Sequence, residues 1–481
     1  MDVHISLTGN RRLSEQIYRQ LLEAILDGRL QDGARLPPTR QLAEQLHVSR
    51  NTITTVYDRL MAEGFVQSRM GASTYVTSAN LPEPRSRHAR GGAEILPLPY
   101  WQEPLPELSR PGSQWKYNFM PGLPDPELFP FDTWRRIITR QLTPARQELG
   151  RYQSSSGLAG LREAIARHTG IARSVVASPD DVVITNGTQQ AIDLVTRILI
   201  SPGDVVAIEN PGYTPARSLF QSHGAHVQPV PVDDEGIRVD CLPEATRLIY
   251  TTPSHQFPLG VPMSLSRRVE LLRWATEHNA VIIEDDYDSE FRYADRPLDP
   301  LQSIDTDGRV IYVGTFSKSL IPSLRIGFLI SPRSLRAALR RARQLTDWHG
   351  ETVTQLALAE FIEQGHFARH LRRANRLYSE RHREINAAIQ RELAGYLDLL
   401  PSSAGMHVCA IQRAEVSVDL DAVTRLAAGR GIVFGTLTTY HFGPEQVPQG
   451  LIIGFGGIAT GDIDTGIAEI ARCVRDVLDG R

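Results

Sequence analysis

GTFSKSLIPSLRIG, residues 314–327, holds Lys318 between two serines, directly after the apolar run VIYVGT at 310–315. Lys and Arg together number 52 in this chain, yet only two are lysines, Lys116 and Lys318. An amine, unlike a guanidinium, can lose its proton and condense with an aldehyde to a Schiff base. A lone lysine after a strand is ordinarily a solvated charge, so the neighbouring segments decide its meaning.

Working outward, short apolar runs alternate with amphipathic helical patterns from Trp115 onward: VVIT (182–185), VVAIE (205–209), LIYTT (248–252), AVIIEDD (280–286), VIYVGT and IGFLI (326–330). That alternation predicts an α/β fold with a mostly parallel sheet covered by helices on both faces. Past Ser331, longer helices followed by runs near 406–411, 432–436 and 451–455 predict a smaller C-terminal α+β subdomain. Ligands in such sheets sit at the carboxyl ends of the strands, where Lys318 falls.

Three more segments converge there. TNGTQQAIDLV (185–195) sets Gly187 and Thr188 between a strand and a helix start, where free N–H groups and the helix dipole form a phosphate cup. IIEDDYDSEF (282–291) ends a strand on Asp285, a carboxylate able to keep a pyridine nitrogen protonated, with Tyr287 in reach of a ring hydroxyl. The competing reading is a surface acid cluster, because Glu284, Asp285, Asp286 and Asp288 cannot all point inward. ENPGYTPAR (209–217) offers Tyr213 for stacking on a flat ring. Within the opening stretch, Arg325 is a candidate phosphate partner.

This order of phosphate cup, aromatic, Asp, Ser-Lys pair and Arg resembles fold-type I pyridoxal-phosphate enzymes of the aspartate aminotransferase class, from about residue 117 to the end. FMPGLPDPELFPFDTWRR (119–136), YQSSSGLAGLREAIARH (152–168), TPSHQFPLG (252–260) and EDDYDSEFRY (284–293) resemble the MocR/GabR group of regulators, in which a GntR-type winged helix is fused to an aminotransferase-like domain. The resemblance implies pyridoxal 5'-phosphate held as a Schiff base by Lys318, with Asp285 on the pyridine nitrogen, Tyr287 on the ring oxygen and Tyr213 stacked. Gly187, Thr188, Ser317 and Arg325 would surround the phosphate. Tyr152 would reach the cofactor of the neighbouring subunit, implying a homodimer, head-to-tail and domain-swapped, with composite sites. Two departures stand out. Phe257 occupies the place of an aminotransferase asparagine, leaving His255 or Gln256 to substitute. LIIGFGG (451–457) carries Ile452 where such enzymes have a carboxylate-clamping arginine, and isoleucine makes no bidentate pair. Amino-acid transamination is therefore disfavoured. The effector is bound through another cation, such as Arg217 or Arg325, or is the cofactor itself.

At the other end, LPPTRQLAEQLHVSRNTITTVYDRLMAEGFVQSRMGASTYV (36–76) resembles the GntR winged helix. Ser14 and Ser49 are candidate helix N-caps. After Ser49, burial of Ile53, Val56, Tyr57 and Leu60 leaves Arg50, Asn51, Thr54, Thr55 and Asp58 outward, suited to a major groove. Ser49, Thr52 and Arg40 flank that face, and Arg69 with Gly71 at the wing tip can reach phosphates or the minor groove. The expected partner is double-stranded operator DNA. Domain limits are read as 1–78 for the winged helix, 79–114 for a Pro-, Gly- and Arg-rich linker, and 115–481 for the aminotransferase-like domain.

Composition fits this division. Net charge is −3, so DNA affinity must come from a local patch. Cys241, Cys409 and Cys473 are too few for a disulfide framework, no histidine pair has metal-ligand spacing, and no signal or membrane run is seen. A cytoplasmic protein without a metal is expected. The leading reading is a regulator, not an enzyme, that senses an amine, an amino acid or pyridoxal phosphate, with residual or half transamination left open. The alternatives are an active aminotransferase carrying an accessory DNA-binding domain, and a degenerate dimerisation scaffold.

Overall fold

The computed structural model describes residues 5–7, 9, 12–69, 73–77, 96–102, 115–143, 147–293, 299–443 and 448–480. The chain divides into two compact units, Met1–Pro104 and Leu105–Arg481. Most of the stretch expected as a linker lies outside the described residues.

In the first unit, helices Leu13–Leu26, Thr39–Gln45 and Arg50–Ala62 pack beside a three-stranded antiparallel sheet. Strand Ser73–Val76 lies in its middle, between Arg35–Leu36 and Val66–Arg69. Ile17, Leu21, Ile25, Ile53, Val56, Tyr57 and Leu60 are buried as the helical spacing predicts, whereas Leu22, expected on the same inner face, is only partly buried. Ser14 does not cap the first helix. Arg12, in a left-handed conformation, precedes that helix without a side-chain cap, and Ser14 lies inside its first turn. The two-residue strand Arg35–Leu36 has no sequence signature of its own.

In the second unit, an eight-stranded sheet is ordered 182–185, 327–330, 310–315, 281–286, 246–251, 205–210, 226–233, 236–237. Its five central strands pair in parallel, and Gly327–Ile330 runs antiparallel between Val310–Thr315 and Val182–Thr185. Hydrophobic layers cover both faces. A second, five-stranded sheet is ordered 397–399, 407–412, 450–454, 432–436, 117–119. Its last strand comes from the start of the unit: Tyr117–Phe119 pairs in parallel with Ile432–Phe434. Phe119 is fully buried there, its ring against Gly466 of the C-terminal helix Ile463–Leu478. This crossing carries the next residues, Met120–Leu123, over the carboxyl ends of the large sheet. No helix among the described residues is long and apolar enough to cross a membrane.

Candidate functional site

A cavity of about 520 Å³ opens at those carboxyl ends, and Lys318, Asp285, Tyr287, Tyr213, Thr188, Ser317 and Arg325 all line it. Lys318 sits on the one-turn helix Phe316–Ser319, whose start is capped by the Thr315 hydroxyl oxygen accepting the Ser317 N–H. Its Nζ donates to the Gly122 carbonyl at 2.7 Å. Gly122 has φ +73°, and a Cβ there would stand 2.8 Å from Nζ, so the close approach requires glycine. Burial holds the lysine pKa below its ordinary value, against the opposing pull of Asp288 and Asp285. The amine is thus readied as a nucleophile.

Asp285 ends strand Val281–Asp286 and is 4% exposed. Tyr250 donates to its Oδ2 at 2.6 Å, while Oδ1 has no partner among the described residues. Burial pushes the carboxyl pKa up to about 7, despite the Tyr250 hydrogen bond. A buried, unsatisfied acceptor on a cavity wall calls for a donor from a ligand. The neighbouring acids do not form the surface cluster weighed above; each is buried with its own partner. Glu284 accepts the Leu301 and Gln302 N–H groups, Asp286 accepts from Arg173 and Tyr312, and Asp288 pairs with His255.

Gly187, at φ +83°, directly precedes helix Thr188–Leu199. A Cβ on Gly187 would lie 3.0 Å from Arg325 Nη2, and one on Gly327 would lie 2.8 Å from the Gly187 Cα. Arg325 donates to the Asn186 carbonyl at 2.9 Å. Helix start, guanidinium and Ser317 therefore meet in one cradle, with the donors a phosphate needs. Tyr213 stacks parallel to Tyr250, with centroids 6.5 Å apart.

Two expected residues, His255 and Gln256, do not face the cavity. His255 is buried but does not line the cavity; its Nδ1 lies 3.0 Å from the Tyr287 oxygen, behind the wall. Gln256 donates to the Pro211 and Phe257 carbonyls, so its amide is also turned away. Phe257 itself fills the wall, edge-on to Tyr213, Tyr287 and Tyr440. Tyr152 is 79% exposed and stacks on Trp348 at 5.2 Å, outside its own chain's cavity. Ile452 is buried with Cys409, Leu437 and Tyr440, and Arg217 lies over the Phe442 ring. Among the described residues, Lys318 and Arg325 are the only cations lining the cavity. Sequence reading missed Tyr250, because an aromatic inside an apolar strand looks like core, and Gly122, because its partner is 196 residues away.

In the first unit, helix Arg50–Ala62 is capped by Ser49, whose Oγ accepts the Thr52 N–H at 3.1 Å. Arg50, Asn51, Thr54, Thr55 and Asp58 are exposed, opposite the buried face. The Thr54 and Thr55 hydroxyls donate to carbonyls one turn back, which leaves their methyls and lone pairs outward. Arg35 and Arg40 are exposed nearby. The Arg40–Glu44 pair, at 3.4 Å and open to solvent, holds Arg40 only weakly. Arg69 ends its strand, and Gly71 lies outside the described residues.

Residues 13–76 match the bacterial regulatory proteins of the gntR family, and residues 125–447 match aminotransferase class I and II. The chain is 40% identical to the probable rhizopine catabolism regulatory protein MocR of Rhizobium meliloti, over 95% of this chain and 93% of that one. The chain belongs to the MocR group of GntR-type transcriptional regulators. A second relative is the pyridoxine biosynthesis transcriptional regulator PdxR of Corynebacterium glutamicum, 30% identical over 96% of this chain and 95% of its own. Among solved structures, the second unit resembles LysN, an α-aminoadipate aminotransferase from Thermus thermophilus complexed with N-(5'-phosphopyridoxyl)-L-leucine. The TM-score is 0.69 at 28% identity, over 76% of this chain and 93% of that one. As a MocR-group regulator the protein joins a DNA-binding winged helix to a fold-type I aminotransferase-like unit.

Proposed function

We propose that this regulator binds pyridoxal 5'-phosphate covalently and couples occupancy of the cavity to operator binding. The carrying observation is the buried, partnerless Oδ1 of Asp285 in the same cavity as the Lys318 amine and the Gly187–Arg325 cradle. When bound, the cofactor supplies an aldehyde for a primary amine and a pyridine ring that draws electrons once protonated. Lys318 offers that amine. Asp285 would accept a hydrogen bond from the protonated ring nitrogen, which would satisfy Oδ1 and remove the cost of a lone buried carboxylate. Tyr213 would stack on the ring, Tyr250 would hold Asp285 through its hydroxyl, Tyr287 would face the ring hydroxyl, and Gly187, Thr188, Ser317 and Arg325 would surround the phosphate.

The rest of the wall is aromatic and apolar, with Phe257 and Tyr440 above a buried Ile452. Apart from Lys318 and Arg325, no cation lines it among the described residues. This supports an effector held chiefly through its amine, or the cofactor as effector. Steady amino-acid transamination is disfavoured. The intact Lys318 and Asp285 pair supports a residual half-reaction with a donor amine. We assign residues 1–78 to DNA binding, 79–114 to the linker and 115–481 to the cofactor unit, in a cytoplasmic homodimer arranged head-to-tail. In that dimer Tyr152 serves the neighbouring cavity, in keeping with its exposure here. The test is to titrate the purified protein with pyridoxal phosphate while following visible absorbance and binding to its own upstream DNA. The reading expects a visible band, with DNA affinity changing in step. A protein that takes up no cofactor, or DNA binding indifferent to it, would overturn the reading.

A further inference from the structure

Behind the cavity, His255, Asp288 and His407 bring their side-chain ligand atoms within 4.8 Å of one another, and all three are buried. A proton count on Tyr287 gives this cluster a use. The phenol has one hydrogen. Its oxygen lies 3.0 Å from the His255 carbonyl, which can only accept, and 3.0 Å from His255 Nδ1. Nδ1 also lies 3.1 and 3.2 Å from the two Asp288 oxygens, which accept as well. Nδ1 therefore carries a hydrogen directed at the carboxylate and the phenol oxygen, and the phenol gives its own hydrogen to the carbonyl. A ligand oxygen on the cavity side can compete for that hydrogen while Nδ1–H still holds the phenol oxygen in place.

We propose that Asp288 and His255 form with Tyr287 a buried carboxylate–imidazole–phenol relay that aims the Tyr287 hydrogen at the ring oxygen of the bound cofactor. The proposal rests on the cofactor reading above. His255 and Asp288 are positioning residues; Tyr287 alone touches the ligand. The relay does from behind the wall what a side chain at the Phe257 position cannot do from inside it. Cooperative polarisation along such a chain makes the phenol a better donor. Burial, together with the nearby Asp288 charge, keeps the Tyr287 pKa well above its ordinary value, so it remains a donor. The other titratable groups facing His255 are His407, with ring centroids 4.7 Å apart, and His382 on helix His366–Glu392. Burial and His255 lower the pKa of both imidazoles, which favours their neutral forms. Lys318 adds a charge on the cavity side of Asp288.

A donor to the ring oxygen stabilises negative charge there and makes the lysine-linked nitrogen less basic. The test is the pH midpoint of the visible absorbance change in pyridoxal-phosphate-loaded full-length protein. The midpoint should rise by about one unit, a tenfold change in proton affinity, in His255→Ala. It should rise less in His255→Gln, whose amide N–H can still donate to the phenol. Adding Tyr287→Phe should erase the difference between His255→Ala and His255→Gln in a double-mutant cycle. If the alanine variant fails to fold, His255→Leu, which fills more of the space and has no N–H to donate, takes its place in the cycle. A normal band whose midpoint is unmoved in His255→Ala or His255→Leu would overturn the relay alone. Wild-type protein without any visible band would overturn the cofactor reading, and the relay with it.

Discussion

At the scale of single residues, Asp285 carries the most testable electrostatics. Its folded pKa of about 7 lies above the ordinary carboxylate value of 3.8. Without cofactor, the folded protein therefore holds a proton between those values that the unfolded chain releases. Stability from this group is full below pH 4 and is lost as pH rises toward 7, an effect bounded at about 4 kcal/mol by 1.36 kcal/mol per unit. Glu284 and Glu290 are pushed up by burial too, to about 7 and about 8, and add to the same trend. Asp285→Asn isolates one contribution. Chemical unfolding of cofactor-free protein should show the variant more stable than wild type at pH 8, with the advantage shrinking toward pH 4. Loading with cofactor should remove the advantage, because the ring-nitrogen proton then pairs with the wild-type carboxylate. Asp285 was legible in the sequence because it ends an apolar strand at the carboxyl edge of a parallel sheet, even with a surface acid cluster as the competing reading. The roles of Tyr250 and the Asp288–His255 pair were not, since both depend on which side chains meet across strands distant in sequence.

At the scale of elements, the recognition helix separates capping from reading. Ser49→Ala should destabilise the winged helix by about 1 kcal/mol through loss of the N-cap, measured by thermal unfolding. Asn51→Ala touches nothing buried. It should leave stability unchanged while weakening operator binding by about 1–3 kcal/mol at fixed salt. Arg50→Ala should instead reduce the salt slope of binding by about one. The helical spacing and the polar outer face made this element readable. The central strands were readable for the same reason, being continuous apolar runs. Two strands were not. His226–Asp233 contains Pro229 and Pro231, which argue against a strand. They are tolerated because their missing N–H groups fall on the hairpin side of the strand, where Gly236–Ile237 pairs with Val232 and Asp233 and the Pro231 carbonyl accepts the Arg238 N–H. Tyr117–Phe119 is three residues long and pairs with residues more than 300 positions away, a register that no local pattern encodes.

At the scale of the whole molecule, the proposed composite site makes a stoichiometric prediction. Lys318→Ala and Tyr152→Ala each damage a different contributor to one cavity. Tyr152 is exposed and its stacking on Trp348 lies outside the core, so both variants should fold. Hybrid dimers assembled from the two should regain one intact cavity per dimer, seen as cofactor affinity at half the wild-type site number; hybrids with no intact site would refute the exchange of Tyr152. Beneath all of this lies the claim that Lys318 is the covalent anchor, and the composition makes it simple to test. The chain has two lysines, Lys116 and Lys318. The most direct measurement is borohydride reduction of protein loaded with pyridoxal phosphate, followed by peptide mass spectrometry. The account predicts one phosphopyridoxyl adduct, on the peptide containing Lys318. An adduct confined to Lys116, or none at all, would contradict it.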